Sequence, residues 1–150
     1  MKRVSLSGKH KSIQWVWDWY EFHFRLLVWA KSQARQTFPA DREKPPDAFF
    51  GMTPEQIDDY RQELHCVAML NLLAAAEATI RVDYWNRARK GRKDPVSRHF
   101  RDLYRNHGME VRLKEEILDT WKRFSPGSRR AVGDFAEALK LRNWLAHGRY

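Results

Sequence analysis

The chain has 150 residues, 43% of them hydrophobic and 31% charged. That is one domain's length, with enough apolar material to bury a core. A formal charge of +9 favours a polyanionic partner, since a basic surface gathers phosphates by long-range attraction and counterion release. A single cysteine, Cys66, excludes an intramolecular disulfide and any cysteine-built zinc site, in keeping with a reducing cytosol.

In chain order, every strong period is helical, and no alternating apolar run with hairpin turns suggests a sheet. An all-α, up-and-down bundle of about five helices is expected. Residues 1–11 read as a short basic tail with no secretory signal, because Lys2-Arg3 is followed by Ser and Gly rather than an apolar run. Residues 12–150 read as one helical domain. The first helix, Ser12 to about Phe38, is apolar almost all round and is expected to be buried on more than one face. Its apolar stretch Ile13 to Ala30 carries Asp18, Glu21, His23 and Arg25, too many polar groups for a membrane span, so a soluble, cytoplasmic protein is expected.

Pro39, Pro45 and Pro46 mark a loop. Thr53-Pro54-Glu55-Gln56 then combines an N-cap, a proline at the first helical position and a capping-box Gln, and the second helix runs to about Arg89. After the basic loop Arg87 to Lys93, Asp94-Pro95 opens a short third helix that ends near Gly108 and carries Arg98, Arg101 and Arg105 on one face. A fourth helix, about Val111 to Phe124, shows Ile117, Leu118, Trp121 and Phe124 at helical spacing, and Ser125-Pro126-Gly127 stops it. The fifth runs from about Ser128 to Ala146. The seven tryptophans read mostly as core and interface.

The last helix is the informative one. At about 100° per residue, Val132, Phe135, Ala136 and Leu139 form one apolar face, and its continuation is Arg142, Asn143, Ala146 and His147. Polar side chains thus take over a stripe that was apolar, while Leu141, Trp144 and Leu145 point elsewhere. Burying Arg, Asn and His unpaired is costly, so these residues are expected to line a cleft or a partner interface.

The string Arg142-Asn143-Trp144-Leu145-Ala146-His147-Gly148 resembles the signature of HEPN domains: an Arg, a polar residue after it, and a His four to six residues on, near the end of a late helix. Two long early helices, a short central one and the signature helix last also resemble the HEPN bundle. The resemblance implies a homodimer in which two signature helices face each other and form a composite ribonuclease site, as in toxins of toxin–antitoxin and phage-defence systems. It implies RNA as substrate and an antitoxin protein as a further partner. Toxins of this kind paired with a nucleotidyltransferase carry Tyr two residues after the His; here Arg149 stands there and Tyr150 follows, so nucleotide transfer onto that tyrosine is not implied.

These residue types suit RNA cleavage, because ribose supplies its own nucleophile and the protein need only move a proton and stabilise the phosphorane's added charge. His147 can take the 2′-OH proton, and Arg142 can contact the non-bridging oxygens bidentately. Arg142 and Arg149 nearby favour the neutral imidazole that a base requires. Asn143, one turn before His147, can fix its ring or bind phosphate. No metal or other cofactor is required, and the implied products are a 2′,3′-cyclic phosphate and a 5′-hydroxyl. Glu77, Arg81 and Asp83 on the second helix are candidates to border the site or to serve as structural ion pairs, and Tyr150 is a further candidate to border it. Arg98, Arg101, Arg105 and Arg149 are candidates to contact the RNA backbone. The alternatives are an ordinary basic helix end steadied by the helix dipole, and a bundle of the same kind that binds RNA or dimerises without cleaving.

Overall fold

Residues 11–34 and 52–147 are described by the structure, a computed structural model, the side chains of Ala34, Ala146 and His147 excepted. Residues 1–10 of the expected basic tail, the expected loop with Pro39, Pro45 and Pro46, and Arg149 and Tyr150 lie outside the described residues. The fold is an all-α helical bundle. Among the described residues there are five α-helices and no strand: α1 Ile13–Ala34, α2 Pro54–Arg89, α3 Pro95–His107, α4 Asp119–Phe124 and α5 Arg129–His147.

Helix starts fall where a side chain can satisfy the orphan amides of a first turn. The Ser12 hydroxyl accepts from the Trp15 amide at 3.0 Å. At the start of α2 the Thr53 hydroxyl accepts from the Gln56 amide at 3.3 Å while the Gln56 side chain accepts from the Thr53 amide at 2.8 Å, a complete capping box. Asp94 caps α3, accepting from the Ser97 amide at 3.0 Å and the Ser97 hydroxyl at 2.8 Å, with Pro95 at the first helical position.

The described residues within Ser12–Leu72 and those from Leu73 onward form two compact units. In the first, Lys31 pairs with Asp58, the Tyr20 hydroxyl and His65 Nδ1 share a hydrogen bond of 3.0 Å, and the Tyr20 and Phe24 rings lie against His65. Trp19, Leu26, Tyr60, Leu64 and Val67 surround an open apolar cavity of about 330 Å³. The expected multi-sided burial of α1 is not found. Among the described side chains of α1 only Val16 and Ala30 are buried, while Trp15, Trp17, Phe22, Val28 and Trp29 are exposed. A single long helix segment, such as the first part of α2, can cover only one face of α1. Indeed none of the seven tryptophans is fully buried; an indole is too wide to vanish among so few helices.

The second unit holds the main core. Tyr84 and Ala88 of α2, Val96 and Phe100 of α3, Val111, Leu113, Ile117 and Leu118, and Ala136 and Leu139 of α5 form one apolar cluster, with Trp121, Phe124, Val132 and Phe135 packed against it. The third and fifth helices begin and end within a residue or two of expectation. The fourth differs in kind, because residues Leu113–Leu118 form a π-helical turn before α4 continues. There the Ile117 amide reaches back five residues to the Arg112 carbonyl at 3.2 Å. The wider turn brings Leu113, Ile117 and Leu118 all into the core, and it lets the Glu116 carboxylate accept from the Arg112 amide at 2.5 Å. Thr120 is buried yet satisfied, its hydroxyl donating to the Glu116 carbonyl at 2.5 Å.

Among the described residues α2 has an 18-residue window of mean hydropathy 1.3, long and apolar enough by composition to cross a membrane, with 17% of it buried.

Candidate active site

The inner face of α5 follows the expected stripe: Ala136 and Leu139 are buried in the core, Val132 and Phe135 are partly buried beside them, and Arg142 comes next along the same line. Arg142 is half-buried and makes a long-range contact. Its Nη1 donates to Glu77 Oε2 of α2, and its Nη2 donates to the Asn143 side-chain oxygen at 3.3 Å. Glu77 is shared, since its Oε1 accepts from Arg81 Nε at 3.0 Å. Arg81 is fixed in turn by donating from Nη1 to the Val111 carbonyl at 3.3 Å.

The result is a chain of charge-assisted bonds running from the Val111 carbonyl through Arg81, Glu77 and Arg142 to Asn143. Side-chain exposure is 32% for Arg81, 20% for Glu77 and 33% for Arg142, so solvent screens the group only in part. Two guanidiniums against one carboxylate leave a net positive charge. A guanidinium has five N–H donors, and Arg142 uses two of them here, so an oxyanion can be bound without breaking the pair with Glu77.

Of the residues expected at the site, Arg142, Asn143, Glu77 and Arg81 are therefore brought together. Asp83 is not among them. Its carboxylate accepts from Arg87 Nε at 2.9 Å, and Arg87 further reaches Asp94 and Ser97 and lies 4.7 Å from the Trp121 ring centroid. His147 ends α5, with its side chain outside the described residues, as are Arg149 and Tyr150. The basic face of α3 is more engaged than a bare charge track. Arg98 is exposed, but Arg101 Nη1 donates to the Arg92 carbonyl at 2.7 Å and Arg105 pairs with Asp102 at 3.4 Å on the surface.

Sequence reading passed over Glu116, which accepts from the Arg112 amide and lies 3.6 Å from His107 Nε2. Its placement follows from the π-helical turn, for which the local sequence carries no signal. Among the described residues no group of three or more His, Cys, Asp or Glu is placed to hold a metal ion. Compared with known proteins, the chain matches no family model, no curated protein and no solved structure.

Proposed function

We propose that this chain is a metal-independent endoribonuclease of the HEPN kind, a cytoplasmic homodimer that cleaves RNA at a composite site in a toxin or phage-defence role, with an antitoxin protein as a further partner. The observation that supports the reading best is the placement of Arg142 and Asn143. A half-buried guanidinium with donors to spare stands at the inner end of α5, where an apolar stripe turns polar.

In this reading His147 accepts the 2′-OH proton, the 2′ oxygen attacks the adjacent phosphorus, and the bond to the 5′ oxygen breaks as that oxygen takes up a proton from water, His147 then releasing its own proton to solvent. Arg142 stabilises the charge that accumulates on the non-bridging oxygens, and Asn143 orients the base or the phosphate. The products are a 2′,3′-cyclic phosphate and a 5′-hydroxyl.

The test is direct. His147→Ala should keep its helical circular dichroism and lose RNA cleavage, and excess EDTA should leave the wild-type protein's cleavage unchanged. Cleavage by well-purified His147→Ala, or cleavage stopped by EDTA and restored by Mg²⁺, overturns the assignment. Light scattering should give a dimer at micromolar concentrations; a monomer there removes the composite site.

A second reading is favoured by one observation, the Glu77 carboxylate on Arg142, which serves equally well in a domain that binds RNA or dimerises without cleaving. Binding without any cleavage by wild-type protein selects it.

A further inference from the structure

Glu77 is held from two sides. Arg81 takes Oε1, Arg142 takes Oε2, and Arg81 is itself anchored on the Val111 carbonyl. An ion pair that served only to join α2 to α5 would need one arginine. Here the second one immobilises the carboxylate that the first one meets, and both partners of the 65-residue-long link are at least two-thirds buried at the side chain. Arg142 has three rotatable methylenes and would sample many rotamers if released, so its guanidinium is ordered chiefly by this carboxylate.

We infer that Glu77 is the positioning residue of the site, presenting Arg142 to the scissile phosphate of RNA with Nη1 held and the remaining donors free. The inference rests on the ribonuclease reading, to which it adds a residue that touches no substrate. Glu77 takes no proton in the reaction and forms no bond to RNA. Its contribution is to arrange Arg142 before the substrate arrives, so that the transition state meets a donor already in place. It also lowers the local positive charge from two to one, which weakens ground-state attraction for phosphate. Rate and affinity are thus pulled in opposite directions, a signature that a purely structural ion pair does not produce.

The test compares the wild-type protein with Glu77→Gln, Arg142→Ala and the double variant. Single-turnover RNA cleavage is measured beside affinity for a 2′-O-methyl RNA, which binds but lacks the nucleophile. Folded fractions are checked by near-ultraviolet circular dichroism. Glu77→Gln should cleave about tenfold to a hundredfold more slowly, the range expected for a misplaced catalytic group. It should bind the 2′-O-methyl RNA at least as tightly as wild type. In the double variant, Glu77→Gln should add no further loss to Arg142→Ala, because it acts through that residue. If the Gln variant does not fold, Glu77→Asp keeps the charge but withdraws the carboxylate by one methylene, and the same loss of rate is expected. Cleavage by folded Glu77→Gln at the wild-type rate, affinity falling in step with rate, or additive losses in the double variant overturn the inference alone. Absence of cleavage by wild type, or full cleavage by Arg142→Ala, overturns the ribonuclease reading and this inference with it.

Discussion

The Tyr84 hydroxyl donates to the Gly108 carbonyl at 2.8 Å, joining the middle of the main core to the residue that ends α3. Tyr84 is 1% exposed and meets Phe100 edge to face at 5.1 Å, and burial, with Glu116 and Tyr104 nearby, pushes its hydroxyl up to about 12. A group raised in the folded state contributes stability that is complete below its unfolded value and is lost as pH climbs through the folded one. The loss therefore falls between about pH 10 and about 12 and amounts to at most about 2 to 3 kcal/mol. Tyr84→Phe should cost about 1 kcal/mol near neutrality. It should also flatten this alkaline decline, so that urea melts of the two proteins converge at high pH. A parallel decline in both proteins would contradict the assignment.

Gly108 has φ +60° and ψ −123°, a backbone conformation that side-chain-bearing residues rarely adopt, and a Cβ built there meets nothing within 4 Å. Gly108→Ala should therefore lose about 1 to 3 kcal/mol through strain alone. A melting temperature equal to wild type would show that the turn relaxes without cost.

Asp94 carries both the cap of α3 and an ion pair to Arg87 at 3.4 Å. The Ser97 hydroxyl foremost, with the Ser97 amide and the Arg87 charge, holds its carboxyl below the ordinary value. For a depressed group, stability is complete above the unfolded value and lost as pH falls through the folded one, so the contribution disappears on the acid side. Asp94→Ala should cost about 1 kcal/mol at neutral pH, and Asp94→Asn less, because an asparagine still caps. Equal melting temperatures for the two variants would assign the whole effect to the ion pair.

On the basic face of α3, Arg101→Ala together with Arg105→Ala should weaken binding of all RNA sequences alike. Each lost phosphate contact should lower the salt-dependence slope by about 0.7 to 0.9. Cleavage at saturating protein should change little, whereas Arg142→Ala should cut turnover and leave most binding intact. If both variants lose affinity and turnover in equal measure, Arg142 is only another binding charge.

Where a feature is written within a few consecutive residues, the sequence is a good guide. Thr53 and Gln56 are three apart and satisfy each other's amides, and Asp94, Pro95 and Ser97 do the same work at α3, so both starts could be read directly. The apolar stripe of α5 likewise follows from spacing alone. What spacing cannot carry is which distant partner a charge will find. Glu77 and Arg142 are 65 residues apart, and nothing near either one distinguishes that pairing from the local one Asp83 makes with Arg87. The π-helical turn at Leu113–Leu118 was equally hidden, because its apolar residues fit an ordinary helix until the core requires three of them at once.

The segment Lys90 to Lys93 has a consequence for how the chain can be divided. Lys90, Arg92 and Lys93 are exposed between α2 and α3, with Gly91 at φ +63° between them, which makes this connection a natural cutting point for trypsin. The core, however, is assembled from both sides of that point: Tyr84 and Ala88 before it, Phe100, Ile117 and Leu139 after it. A nick there severs the backbone without separating the buried surfaces, so the two fragments should remain associated. Two separately produced polypeptides meeting at this loop should likewise find each other and rebuild the fold.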